Sequence, residues 1–328
     1  MNKLFATLTN DTSLRSICSS GGFITTCANK FIENGGIVYA AAFVEKFHIE
    51  HIRVDNVTDL KKTAGSKYSV SSLKQILPLI KADLLEGKKV LFIGTPCQCA
   101  IMKKKYDNKS LYLIDLICHG NTSPKYYEAY LSYIEEKFGS IQKFNFRDKT
   151  AYGLSAISSI VLASGRKKVC YSPKYNYYYY YMKQDAYLSS CYSCQYANID
   201  RIGDITVGDF WGIEIIDPKF PSSDGVSAVI INSYKGDMLW KFTKDSVTYV
   251  KEDLEKYIPY NAALTHAVTR GEKYDIVRKY LKENRAVNIF TEVYDITIKE
   301  KIAGILKKIV PKIIYKEIIK YKRRKGVL

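Results

Sequence analysis

The sequence predicts an α/β fold: a mixed sheet flanked by helices, with a C-terminal helical extension. Two patterns lead there. Apolar runs rich in β-branched residues alternate with segments of helical periodicity, and the joins between them carry helix-start and turn signals. Neither an internal repeat nor a low-complexity linker interrupts the 328 residues.

Taken in order, FITTCANKFIENGG reads as a helix stopped at Gly35 and Gly36, and the strand IVYAAAF follows. KKVLFIG is an unbroken apolar run, hence a buried strand. Thr95 and Pro96 then open a helix, because proline is tolerated in a first turn. SLYLIDLIC is the next strand, Ser123 and Pro124 open the helix KYYEAYLSYIEEKF, and ISSIVLA reads as sheet. DITVGDFW and SAVIINS read as two late strands, and residues from about 235 to 295 as helices joined by the turn THAVTRGEK. Three regions result: a core over 1–235, a helical region over 236–297, and basic amphipathic helices over 298–328.

With 47% hydrophobic residues the chain can bury a sizeable core. The N-terminus MNKLFATLTNDTSLRS lacks the roughly 7 to 15 residue apolar stretch of a signal peptide, and no run of ~18 apolar residues suggests a membrane span. The expected location is cytoplasmic. Thiols stay reduced there, so eight cysteines point to metal binding, catalysis or packing rather than to disulfides.

The net charge of +17 raises nucleic acid and anionic membranes as partners. Between Lys299 and Lys325, however, eleven basic residues face two acidic ones, so +9 of the +17 lies in the tail. That distribution, with no helix-turn-helix, zinc-finger or RNP-type pattern, argues against a specific nucleic-acid module, although the tyrosines at 175–181 would make stacking platforms. In the tail, Ile302, Ile305, Leu306 and Ile309, then Ile313, Ile314 and Ile318, recur at helical spacing around a break at Pro311. Two readings stand: an interfacial helix pair on an anionic membrane, or a helix docked on the core with solvated lysines.

The cysteines carry the chemistry. Cys191 and Cys194 form a C-x-x-C, whose spacing lets two thiolates reach one iron or zinc from a tight turn. Cys97 in GTPCQ and Cys118 in LICHG stand singly at strand ends. One knuckle plus two singletons suits a cuboidal iron-sulfur cluster at least as well as zinc, and spacing leaves both open. A thioredoxin-like pair fits poorly, because the Tyr-rich YNYYYYYMKQDAYLSS precedes the motif. Cys99 is an alternative to Cys97, Cys18, Cys27 and Cys170 read as packing or surface thiols, and His119 reads as a supporting hydrogen-bond donor or a core residue.

Ser19-Ser20-Gly21-Gly22 ahead of a helix offers free backbone N–H groups to an anion, and a plain tight turn explains it equally well. GSKYS at 65–69 reads either as a cradle for a phosphate or flat cofactor or as a polar surface turn. Arg147 in RDK is a candidate phosphate fork, or a solvated arginine. Asp209 and Trp211 in GDFWG stand at a strand end where a ligand can approach, or where a core tryptophan closes a strand.

SSGGFI, GGIVYAAAF, GSKYSVSS, FIGTPCQCA, DLICHGNTSPK, FNFRDK, CYSCQYANIDRIGDITVGDFWG and DGVSAVIINS, in this order, resemble the coenzyme F420 hydrogenase/dehydrogenase beta subunit family over about residues 15 to 235. The resemblance implies an iron-sulfur flavoprotein oxidoreductase moving electrons between a 4Fe-4S cluster, FAD, and coenzyme F420 or another hydride carrier. It implies Cys97, Cys118, Cys191 and Cys194 as cluster ligands. Ser20, Gly21, Gly22, Ser66, Lys67, Tyr68 and Thr95 would line the flavin, with Arg147 and Lys149 beside them. Related bacterial proteins are associated with polysaccharide biosynthesis, which is the expected context, at the inner membrane face. Unlike many relatives, the sequence has no ferredoxin-like run of cysteines ahead of SICSSGG. Electrons would therefore come from a separate ferredoxin-like or other redox partner protein, unless the flavin centre works alone. A zinc-stabilised structural or interaction protein is the alternative.

Overall fold

In the computed structural model, residues 3–149 and 156–311 are described, together with residues 314, 317, 318 and 321. The predicted second tail helix therefore lies largely outside the described residues, Ile313 and the basic run 322–325 included. The chain makes two compact units interleaved along the sequence. The first takes Met1–Ala64, Ser71–His119 and Cys194–Ala267; the second takes Gly65–Val70, Gly120–Ser193 and Val268–Leu328.

The first unit is built on an eight-stranded mixed sheet. Its strands are β1 (Lys3–Thr9), β2 (Ile37–Phe43), β3 (Ile49–Val54), β4 (Val90–Gly94), β5 (Leu111–Leu116), β9 (Ile205–Asp209), β10 (Ser227–Ile231) and β11 (Val247–Glu252), in the spatial order β11-β1-β10-β9-β5-β4-β2-β3. The centre is parallel (β2 with β4, β4 with β5, β5 with β9), and antiparallel pairs close both edges. Buried parallel strands need apolar side chains on both faces, which is why VLFIG and LYLIDL read as near-continuous apolar runs.

Alternation along β1 feeds two cores. Phe5 stacks on Trp240 with ring centroids 4.2 Å apart, beneath the helices Phe23–Glu33 and Tyr234–Thr243. Leu4, Ala6 and Leu8 turn to the other face, among Phe210, Ile213 and Tyr257. Further along that sheet, the helices Ile76–Leu85 and Pro96–Lys105 pack Ile80, Leu84, Cys99 and Met102 against Tyr39, Phe92 and Leu113.

The predicted helices and strands through SAVIINS are found, but the region from 235 to 295 is not wholly helical: it contributes β11. VTYVKE is an edge strand with one wet face, so its apolar signal is thin. The strand KLFATLT, which the N-terminal sequence alone does not announce, is buried in all but its first residue.

The second unit holds a three-stranded antiparallel sheet, β6 (Ile141–Asn145), β7 (Ser159–Leu162) and β8 (Lys167–Val169). Against it lies the helix Pro124–Phe138, whose first turn is capped by Ser123 accepting from the Tyr126 N–H. Its core is aromatic. Tyr126, Tyr130 and Tyr177 are fully buried, and Tyr180 packs on Phe290 with centroids 5.0 Å apart. Tyr177, Tyr180 and Tyr181 are thus core residues, which removes the cluster at 175–181 as a set of exposed stacking platforms. The sequence made the segment look polar because a phenol buries its ring while its hydroxyl finds one partner, as when Tyr181 donates to the Gly120 carbonyl at 3.0 Å.

In the first unit, a charged cluster joins the helix Ile76–Leu85 to the sheet. Asp83 accepts from Tyr39 Oη at 2.5 Å, Arg53 Nε at 2.8 Å and Lys88 Nζ at 3.1 Å. Burial pushes the Asp83 carboxyl up, but the Arg53, Tyr39 and Lys88 hydrogen bonds outweigh it and hold the group below its ordinary range. A carboxylate depressed in the folded state stabilises fully above its unfolded pKa of about 3.9, and that stability is lost as pH falls through the folded value. Asp83→Asn should accordingly lower the melting temperature at neutral pH, and the gap to the parent should narrow toward about pH 2.5. A gap independent of pH would show that the charge contributes nothing.

Candidate redox cofactor site

The eight cysteines are all free thiols, and they divide by exposure. Cys97 is exposed and Cys118, Cys191 and Cys194 are half-buried, whereas Cys18, Cys27, Cys99 and Cys170 are buried. The four accessible thiols are the four that the family resemblance implies as ligands. Burial pushes the Cys27 and Cys170 thiols up to about 11. Cys99, which contacts the Gly94 and Ile114 carbonyls, is raised well above the usual range by burial, with Asp115 adding to it. A thiol so placed resists ionisation, and thiolate is the form that ligates. Cys99 is therefore a poor substitute for Cys97.

Local chain geometry presents each accessible thiol. Thr95 and Pro96 turn the chain from β4 into the helix Pro96–Lys105, and Cys97 stands in its first turn with Sγ 3.2 Å from Thr95 Oγ1. Gln98 fastens that turn: its Oε1 accepts from the Thr95 N–H at 3.0 Å, and its Nε2 donates to Ser71 Oγ at 3.0 Å. Cys118 lies two residues past the end of β5. Beside it, burial holds the His119 imidazole below its ordinary range, with Asp209 pulling the other way. Cys191 sits in the 3-10 turn Ser189–Ser193, its N–H donating to the Leu188 carbonyl at 2.9 Å, and the Cys194 carbonyl accepts from the Ala197 N–H at 3.2 Å. In donor chemistry the four thiols fit a thiolate-held cluster or zinc. Among the described residues, no three or more His, Cys, Asp or Glu side chains are gathered closely enough to hold a metal ion.

One residue pair that sequence reasoning missed organises the first unit's thiol-bearing ends. Arg201 and Asp115 form an ion pair at 3.4 Å, and both are almost wholly buried. Arg201 also donates to the carbonyls of Leu116 at 3.0 Å, Tyr196 at 3.0 Å and Asn198 at 3.2 Å. Asp115 accepts from the Gly203 N–H at 3.1 Å. The guanidinium thus ties the loop that leaves Cys194 to the strand end that precedes Cys118. The available signal was a carboxylate inside the apolar strand YLIDL, which needs a buried cation to offset its desolvation.

The flavin candidates fall into separate groups. In the first unit, Gly21 is demanded by packing, since a Cβ there would lie 2.2 Å from the Thr7 carbonyl oxygen. Gly22 has φ +90° and starts the helix Phe23–Glu33 without a side-chain cap, leaving first-turn N–H groups unclaimed by a cap. Ser20 Oγ donates to the Val226 carbonyl at 2.8 Å. The tight-turn account therefore explains Gly21 whether or not an anion binds. Thr95 lies at the other turn already described.

In the second unit, Tyr68 and Arg147 are brought together, with Arg147 Nη1 donating to Tyr68 Oη at 3.3 Å and the arginine buried. The Tyr68 ring lies 4.5 Å from Tyr181 and 5.2 Å from Tyr178 between centroids, and its carbonyl accepts from Thr122 Oγ1 at 2.9 Å. Lys67 Nζ donates to the Gly65 carbonyl at 3.0 Å, next to Ser66, and Lys149 is half-buried two residues from Arg147. Asp209 and Trp211 are half-buried at the end of β9, where Tyr257 Oη donates to the Asp209 carbonyl at 2.8 Å.

The strand ends and turns of a mixed α/β sheet here display four accessible thiols. The chain belongs to the coenzyme F420 hydrogenase/dehydrogenase beta subunit family: the profile of the family's N-terminal part matches residues 4–78 and that of its C-terminal part residues 87–256. That membership places it among oxidoreductases. A coenzyme F420-dependent sulfite reductase of Methanocaldococcus jannaschii is 25% identical in an alignment of 261 positions that covers 72% of this chain and 36% of that protein. The chain thus spans about a third of that relative's length. A chain from the F420-reducing NiFe hydrogenase complex of Methanosarcina barkeri superposes with a TM-score of 0.54 at 19% identity, covering 88% of this chain and 90% of that one, a likeness of fold.

Two outcomes test this geometry. Brief alkylation of the native, metal-free protein should label Cys97, Cys118, Cys191 and Cys194 and spare the other four, read by peptide mass spectrometry; early labelling of Cys99 would contradict its burial. Arg201→Met should cost about 3–5 kcal/mol in urea unfolding, because it strands a buried carboxylate. Arg201→Lys should recover little of that, since an ammonium cannot reach three carbonyls in a fixed fork.

Proposed function

We propose that this chain is an FAD- and 4Fe-4S-dependent oxidoreductase subunit with Cys97, Cys118, Cys191 and Cys194 as the cluster ligands. The partition of the eight thiols by exposure is the observation that carries the ligand assignment, because a mere packing role gives no reason for the ligand set and the accessible set to coincide. Family membership supports it at the level of the reaction class. When bound, a flavin takes a hydride as an electron pair and yields single electrons, which links hydride chemistry to one-electron chemistry.

The chain's own residues supply placement. Arg147 offers a buried cation to a phosphate or pyrophosphate, with Tyr68 holding it in orientation and Ser66, Lys67 and Lys149 at the turns beside it. The uncapped N–H groups after Gly22 offer a second anion contact alongside Ser20 and Gly21, and Thr95 stands next to the Cys97 thiol. The Asp115–Arg201 pair fixes the backbone on which Cys118 and Cys194 ride. Cys97, Cys118, Cys191 and Cys194 would hold the cluster as thiolates, and its binding would be coupled to local ordering of the turns that carry them.

In this reading coenzyme F420 or another hydride carrier is the partner substrate, and a separate ferredoxin-like protein exchanges electrons with the cluster. The work is done at the inner face of a bacterial membrane, in polysaccharide biosynthesis. The name of the sulfite reductase relative supports the F420 part of this, and the source of the hydrogenase chain, a multi-subunit complex, supports the separate partner.

Anaerobically purified protein should show flavin bands with a shoulder at roughly 400 nm and contain iron and sulfide. Cys191→Ser and Cys194→Ser should each lose iron while Cys99→Ala keeps it. A colourless protein carrying zinc and no iron would replace the redox reading with a structural one, and full iron in either serine variant would overturn the ligand assignment.

A further inference from the structure

The helix Ile298–Ile309 settles on the second unit by one side only. Gly304 is its buried residue, and a Cβ there would stand 3.2 Å from Ser172 Cα and 3.3 Å from Pro173 Cδ, so the helix approaches that turn as closely as glycine allows. At the N-terminal end, Thr297 and Glu300 cap each other, Tyr179 Oη donates to Glu300 Oε1 at 2.8 Å, and Lys183 Nζ lies 3.9 Å from the same oxygen. These contacts fix which way the helix faces.

The face turned away is apolar. Ile298, Ile302, Ile305, Leu306 and Ile309 recur at intervals that share one helical stripe, and they are 75%, 51%, 59%, 53% and 70% exposed. The helix thus packs through Gly304 and Glu300 and leaves this stripe in solvent. Ile314, Ile318 and Tyr321, described beyond Pro311, are exposed as well. Lysines 299, 301, 307 and 308 belong to the same helix, and the segment Lys299–Lys325 carries the net +9 counted from the sequence.

We propose that this helix is an interfacial anchor that lies on an anionic lipid surface, its isoleucine stripe among the acyl chains and its lysines among the headgroups. The inference deepens the membrane-side placement and does not depend on the cofactors. Charge selects the occupant. A second copy would bring two strongly basic faces together, whereas an anionic headgroup layer offers negative potential and apolar depth in one surface. No helix among the described residues is long and apolar enough to cross a membrane, so contact is along the surface.

The test uses the full chain with vesicles of equal parts phosphatidylcholine and phosphatidylglycerol, and with phosphatidylcholine alone. Sedimentation with the anionic vesicles, weakened by salt and lowered about tenfold or more in Ile302→Glu/Ile305→Glu, is the expected result. Cofactor content and melting temperature should not change in that variant, because both side chains face solvent. Binding that survives the double substitution overturns the proposal. So does failure of the intact chain to sediment, including the case in which light scattering shows a dimer that the double variant abolishes. Flavin and iron measured on the same samples keep a failed anchor distinguishable from a failed redox reading.

Discussion

The first unit depends on a charge pair placed where charges are expensive. Asp115 sits near the end of a parallel strand at the centre of the mixed sheet, and its desolvation is tolerable because Arg201 lies against it with its remaining N–H groups spent on three backbone carbonyls and the Thr206 hydroxyl. Satisfying that arginine requires three carbonyls from two chain segments to converge. The convergence sets the path of the polypeptide out of the C-x-x-C and out of β5. A hydrophobic pair would fill the same space without dictating where those carbonyls point, so the ionic arrangement contributes specificity more than stability.

Much of this was legible in the residues because it is local. Helix starts after Gly22, Thr95 and Ser123, and the apolar strands at VLFIG and LYLIDL, follow from patterns within a few positions. The strands that escaped notice owe their existence to distant partners. KLFATLT becomes an interior strand only because β10 and β11 arrive on either side, with Thr7 donating to a carbonyl 220 positions away. VTYVKE is half-wet and carries little periodic signal of its own.

The candidate site divides in the same way. Cysteine spacing and motif order pointed to the ligand set, but exposure, which separates Cys97 from Cys99, depends on which side of a helix faces the sheet. The SSGG turn illustrates the reverse: one of its glycines is fully explained by the backbone beside it, and spacing alone could not reveal that. Arg201 announced itself only through the carboxylate that needs it. The tyrosines at 175–181 read as stacking platforms because their hydroxyls count as polar, while the rings of Tyr177, Tyr180 and Tyr181 are in the core.

The interleaving of the two units governs how the chain reaches its native state. During synthesis β1 emerges first, yet both of its neighbours are made last among the sheet's strands, so it must wait unpaired with its amides open while more than two hundred residues follow. Contacts of that sequence separation carry a large loop-closure cost and slow folding. An apolar strand waiting so long is exposed to mispairing with other nascent chains. Neither unit can finish on the ribosome before most of the other has been translated. A protein wired in this manner is a natural client for holding factors at the tunnel exit, and it resists being cut into independently expressed halves.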